Sequence, residues 1–179
     1  MFMPYALVGY FDKETDHKIK NLWMCLADAG IDDYLSNSEN NPHIKFMMYQ
    51  NADIDKIKEV LFSLSKTISK FPIHFKTYNF YPNEKPFISI DMAAAKQILD
   101  LQTKIRSECD RYGELFGFDV FNEGIWKPDC QLTIEISKEK LLKAIAILLD
   151  TELPFNGTLE RIGVIEFHPA KQLFSFDLQ

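Results

Sequence analysis

Residues 41–50 read NPHIKFMMYQ: turn residues, a proline, a histidine, then a run in which apolar and polar side chains alternate. Proline fixes φ and lacks a backbone donor, so Pro42 suits the entrance to a strand and not its middle. With a period of two, His43 and Lys45 share one face, while Ile44 and Phe46 share the other and point into a core. A second stretch, IWKPDCQLTIEI at 125–136, is built likewise. Pro128 leads it. Leu132, Ile134 and Ile136 form an apolar face, and Asp129, Gln131, Thr133 and Glu135 form the polar one. His43 and Asp129 stand 86 positions apart.

The same offset recurs further on. FPIHFKTYNFYPNEKPFISID ends at Asp91, and LPFNGTLERIGVIEFHPAKQLFSFD ends at Asp177, 86 positions later. Each begins apolar-Pro, runs through a long strand, turns at a proline and returns through an apolar-Ser-apolar-Asp run. Each follows a helical segment, and each helix follows one of the Pro-led strands. Two matching offsets of this kind predict an internal repeat. They put His43 and Lys45 in one copy where Asp129 and Gln131 stand in the other.

Working outward, YALVGYF (5–11) reads as a strand and Asp12 as an N-cap. Ile19, Leu22, Trp23 and Leu26 follow at helical spacing, with Gly30 as the stop. DDYLSNSENNP (32–42) reads as loop. Asp53 caps a helix through Ile57, Leu61 and Leu64; strands at 73–81 and 87–92 follow. A third helix carries Ile98, Leu101 and Ile105 and stops near Gly113, and LFGFDVFNEG (115–124) is aromatic loop or short strand. QLTIEI (131–136) reads as a strand, Ser137 opens a fourth helix, and GTLERIGVIEF and QLFSFDL are the last two strands, around a turn at His168–Pro169. No linker divides the 179 residues. The expectation is one α+β domain over 1–179, of two pseudo-symmetric lobes of antiparallel sheet backed by helices, with a central cleft.

Composition narrows the function. A formal net charge of −6 argues against a broad nucleic-acid-coating surface, which needs many cations facing phosphates, but leaves room for a cleft holding one phosphate. The longest apolar run, AIAILL (144–149), is too short to cross a membrane, and the N-terminus lacks the pattern of a signal peptide. Cys25, Cys109 and Cys130 are scattered, as are the four histidines, so no structural metal and a reducing, cytoplasmic setting are expected. Cys130 alternates away from Asp129, toward the core. A monomer is expected.

If the two Pro-led strands lie side by side, His43 and Lys45 face Asp129 and Gln131 across a cleft. Phosphodiester transfer needs a base, an acid and donors to the non-bridging oxygens. Histidine suits either proton role, and Lys45 and Gln131 can donate to phosphate oxygens.

PHIKF and WKPDCQL resemble the paired motifs of the two-histidine (2H) phosphoesterases, the 2′-5′ RNA ligase-like superfamily. That family's motif is His-x-Thr/Ser-apolar, once per lobe, and its second copy often reads Trp-x-Pro-His-Cys-Thr. Trp126, Pro128, Cys130 and Leu132 keep that pattern. A register shifted by two would instead align Gln131 and Thr133 with the histidine and threonine. The resemblance implies metal-independent, cofactor-free chemistry on 2′-5′ linkages or cyclic phosphates, with one histidine as base and the other as acid. By that alignment His43 and Asp129 are the catalytic candidates, with Lys45, Gln131 and Thr133 at the phosphate and Trp126 a stacking surface for a base. The motifs are degenerate: Lys45, Asp129 and Gln131 replace three of four signature residues. The expected partner is a nucleotide or an RNA terminal phosphate, handled with weak or altered activity. The alternatives are an inactive module binding the same ligand, or a scaffold whose cleft has closed.

Overall fold

A computed structural model describes residues 4–82, 84–117, 119–167 and 170–179. The elements run β1 (Tyr5–Phe11), α1 (Lys13–Asp28), α2 (Tyr34–Asn37), β2 (His43–Ala52), α3 (Ile54–Ser65), β3 (Phe71–Tyr81), β4 (Phe87–Met92), α4 (Lys96–Cys109), β5 (Gly113–Leu115), β6 (Asp129–Gln131), α5 (Lys138–Leu148), β7 (Phe155–Glu166) and β8 (Lys171–Asp177). Among the described residues all strand pairs are antiparallel, in the order β5-β2-β1-β7-β3-β4-β6, with β8 also on β7. The α+β class and its antiparallel sheet are thus as the sequence implies. Hydrogen bonding is continuous between the two halves because β7 is long enough to serve both. Its first residues pair with β3 and its later ones with β1 and β8.

The helix boundaries follow from side-chain caps. Asp12 accepts from the Thr15 N–H at 2.9 Å, Asp53 from Lys56 at 3.1 Å, and Ser137 from Lys140 at 3.2 Å. Each satisfies a donor that the first helical turn leaves free. Gly30, at φ +70°, ends α1 in the left-handed region that favours glycine. Helix α1 buries Ile19, Leu22, Trp23 and Leu26 against the sheet, joining Leu7, Phe11, Ile44 and Phe46 in the main core. The opposite face of β1 carries Ala6, Val8 and Tyr10 in a smaller cluster with Ile165.

Three sequence expectations need correction. The 32–42 loop contains the short helix α2. Helix α4 ends at Cys109, and a 3-10 turn over Asp110–Tyr112 carries the chain to Gly113. The strand expected at 131–136 is instead β6, Asp129–Gln131. After Gln131 the regular ladder stops, because the N–H groups of Leu132 and Thr133 both go to the Ile88 carbonyl, at 2.8 and 3.2 Å. The Thr133 hydroxyl takes the Ile88 N–H at 2.9 Å, and Asp32 takes the Ile134 N–H at 2.7 Å. Side chains thus fill the backbone slots that a longer strand would use. The turn expected at His168–Pro169 lies outside the described residues.

Candidate functional site

Strand β2 positions the first pair. Ile44 and Phe46 are fully buried in the main core, while His43 and Lys45 face the other way. A β-bulge at Phe46 sets Leu7 opposite Met47 and Val8 opposite Lys45. The extra residue restores the alternation beyond it, so that Met48 rejoins the face of His43 and Lys45. Strand β6 brings the second pair alongside. Lys45 Nζ donates to Gln131 Oε1 at 2.6 Å. The chain's two tryptophans fix the backbones on either side of this contact. Trp126 Nε1–H donates to the Lys45 carbonyl and Trp23 Nε1–H to the Gln131 carbonyl, each at 3.0 Å.

Lys45 and Gln131 form a wall common to two cavities. The first, of about 440 Å³, is lined by His43 and by a largely apolar set that includes Trp23, Tyr34, Leu35 and Met48. Asn40 also lines it. That side chain is 8% exposed, and its buried Oδ1 has no hydrogen-bond partner among the described residues. His43 Nδ1 lies 2.7 Å from the Asn41 carbonyl. A carbonyl only accepts, so Nδ1 carries the proton and Nε2 keeps its lone pair. Burial, reinforced by the Lys45 ammonium and only partly opposed by the Asn41 contact, pushes the imidazole down to about 4. At neutral pH His43 is therefore a neutral imidazole, able to accept a proton at Nε2 while its one N–H is held by the Asn41 carbonyl.

The second cavity, of about 330 Å³, is lined by Asp129, Tyr81, Asn79, Trp126 and Lys127 beside the common wall. Asp129 Oδ2 accepts from the Tyr81 hydroxyl at 3.2 Å. Burial raises the Asp129 carboxyl above the ordinary range; the Ser89 hydroxyl and Lys45 pull it down and the Asp91 charge adds to the rise. Asp91 is the cross-strand partner of Asp129, is 4% exposed, and is ion-paired to Lys127. Burial also lowers the Lys45 ammonium, against the attraction of Asp129.

Of the residues singled out in the sequence, the structure joins Lys45 and Gln131 directly. It sets His43 on one side of that contact and Asp129 on the other. His43 is tied to Asn41, so no His43–Asp129 ion pair closes the cleft among the described residues. Thr133 does not share the face of Asp129 and Gln131: it is fully buried and its hydroxyl is committed to Ile88. Trp126 packs its ring at 5.9 Å from Phe46 and lines the second cavity. Cys130 is buried in the core.

Sequence reasoning missed Asn40, Tyr81, Ser89, Asp91 and Lys127 as site residues. Ser89 and Asp91 did leave a signal, two polar residues at i, i+2 alternating with apolar Ile88, Ile90 and Met92. For Asn40, inside a polar loop, there was none. Among the described residues no three His, Cys, Asp or Glu side chains converge as metal ligands would, and no helix is long and apolar enough to cross a membrane.

No family model and no curated protein matches the sequence. Solved structures match along its whole length. Escherichia coli LigT complexed with 3′-AMP has a TM-score of 0.64 at 13% identity, over 100% of this chain and 99% of LigT. A protein of Thermus thermophilus has a TM-score of 0.67 at 13% identity, over 98% of both chains. Usb1 of Kluyveromyces marxianus has a TM-score of 0.57 at 8% identity, again over 98% of both. Likeness at such low identity speaks to architecture, and by architecture this chain has a LigT-like fold.

Proposed function

We propose that the cleft receives a nucleotide or the phosphate-bearing end of an RNA, and that the chain is a divergent 2′-5′ RNA ligase-like phosphodiesterase of weak or altered activity. One observation carries this reading: His43 and the Lys45 ammonium together wall an open cavity of about 440 Å³. An ammonium has three donors, and Gln131 takes one. The others remain for phosphate oxygens, and the aromatic walls offer a base a surface to pack on. LigT, which shares the fold, has been solved with 3′-AMP, phosphate, ATP and NADP+. The open cavity and the His43–Asn41 contact disfavour a closed scaffold.

His43 serves as the base. Its Nε2 lone pair is free of the Asn41 contact, and its low basicity, together with the replaced motif residues, accounts for weak turnover. The test is hydrolysis of 2′,3′-cyclic nucleotides and cyclic-phosphate-ended oligonucleotides, without added metal, by wild type and His43→Ala. A drop of about 10² or more in the variant supports a catalytic His43. Equal inactivity with nucleotide binding retained in both would make the cleft a binding site and remove the catalytic half of the proposal.

A further inference from the structure

A neutral His43 leaves the proposed reaction without an acid, and the opposite side of the Lys45–Gln131 wall holds the groups that could supply one. We propose that Asp91 and Asp129 form a carboxyl pair that retains one proton, and that Asp129 delivers it to the leaving oxygen of a phosphodiester bound at Lys45. The inference rests on the function proposed above and names the residues that complete it.

Asp91 and Asp129 are direct partners across β4 and β6. Facing residues in an antiparallel pair have β-carbons about 4.5–5.5 Å apart, and like charges there repel. Two carboxyls so placed in a buried setting lower their energy by keeping a proton between them. The surroundings say which one keeps it. Lys127 forms an ion pair with Asp91. Asp129 has no ion-pair partner within salt-bridge distance among the described residues; it accepts from the Tyr81 hydroxyl, and the Ser89 hydroxyl, which donates to Asp91 at 3.4 Å, is near enough to pull the Asp129 carboxyl down. Lys45, the nearest cation on β2, gives its hydrogen bond to Gln131 instead. The groups facing Asp129 are thus Lys45 from β2, Tyr81 from β3, Ser89 and Asp91 from β4, and Lys127 just before β6. Burial, with Asp91 behind it, outweighs the downward pull of Ser89, Lys45 and Tyr81. Tyr81, itself pushed up to about 12 by burial, is too weak an acid to take the role.

Lys45 and Gln131 wall both cavities, so a phosphate held there has His43 on one side and Asp129 on the other. In-line displacement at phosphorus asks for that arrangement. Asn40, a lining residue of the first cavity, is nine-tenths buried, and its carboxamide oxygen has no hydrogen-bond partner among the described residues, a second mark of a place built for a ligand. Water attacks the phosphorus of a 2′,3′-cyclic phosphate. The new oxygen–phosphorus bond forms as the bond to one ribose oxygen breaks. The water's proton passes to His43 Nε2, and the proton of Asp129 passes to the ribose oxygen. Solvent then returns a proton from the imidazolium to the Asp129 carboxylate, leaving a phosphomonoester and a free hydroxyl. Asp129 is the catalytic residue, and Asp91 a positioning residue that acts through it.

The deciding experiment is a carboxyl-carbon NMR titration of Asp129 in the free protein, beside the pH–rate profile for a 2′,3′-cyclic nucleotide. In wild type Asp129 titrates above the ordinary aspartate range. Asp91→Asn lowers that midpoint and moves the alkaline limb of the profile to lower pH. Tyr81→Phe, which leaves the pair intact, raises the midpoint. Asp129→Asn cuts turnover by about 10² to 10⁴ while nucleotide binding survives. An Asp129 midpoint in the ordinary range, or one unmoved by Asp91→Asn, overturns the pair even if the enzyme is active. A raised midpoint in a wild type that hydrolyses nothing overturns the delivery step together with the proposed reaction.

Discussion

The Lys45 ammonium donates to the side-chain oxygen of Gln131 over 2.6 Å, although the two residues stand 86 positions apart. By resemblance to the two-histidine motif, these are the positions that would carry hydroxyl residues. Here a cation and an amide hold one another at the centre of the cleft, between His43 and Asp129. The contact joins β2 to β6 and fixes an ammonium group in the site.

Replacing that cation separates binding from stability. Lys45→Met removes a buried charge whose desolvation opposes folding, so the thermal midpoint stays level or rises. Affinity for a nucleoside monophosphate falls at least tenfold, about 1.4 kcal/mol, measured by isothermal titration calorimetry. The same variant lifts the His43 titration toward its ordinary value, since Lys45 helps to depress it. An unchanged affinity would remove Lys45 from the phosphate site.

His43 makes stability depend on pH with a defined sign. Its folded value of about 4 lies below the ordinary 6.5, so the unfolded chain binds more protons between those limits. Stability is complete above about pH 6.5 and is lost as pH falls toward 4. The loss is on the order of 2 kcal/mol, after allowance for the part of the ring that solvent reaches. Urea unfolding at pH 7 and pH 4.5 checks it: His43→Asn flattens this part of the dependence. A variant with the wild-type slope would show that another group is responsible.

The two indoles act as struts. Trp126→Phe leaves the Lys45 carbonyl without its donor, and Trp23→Phe does the same to Gln131. Each change costs about 1–3 kcal/mol in chemical denaturation, the penalty of a buried acceptor left unpaired plus lost packing. Both also weaken ligand binding, because the side chains of Lys45 and Gln131 lose their fixed backbones.

Thr133 separates a structural hydroxyl from a phosphate-binding one. Thr133→Val leaves the Ile88 N–H unpaired in a fully buried place and costs about 1–3 kcal/mol. Thr133→Ser keeps the acceptor and most of the stability. Neither alters nucleotide affinity by more than about twofold, read by calorimetry at a temperature where both are folded. A tenfold loss in the serine or the valine variant would return Thr133 to the phosphate site.

The sequence by itself determined what depends on neighbours in the chain. Apolar period placed α1, α3, α4 and α5; Asp12, Asp53 and Ser137 marked three helix starts, and Gly30 a helix end. Period-two alternation aimed His43 and Lys45 away from Ile44 and Phe46. The 86-residue spacing set Lys45 opposite Gln131. Tertiary structure decided what depends on partners distant in sequence. Strand β6 stops at Gln131 because Ile88 and Asp32 compete for its backbone groups, and that competition turns Thr133 inward. Tyr81, Ser89, Asp91 and Lys127 gather at Asp129 through sheet pairing, which no local pattern encodes. The protonation of His43 and Asp129 was likewise beyond the sequence: burial sets it, and burial belongs to the packed whole.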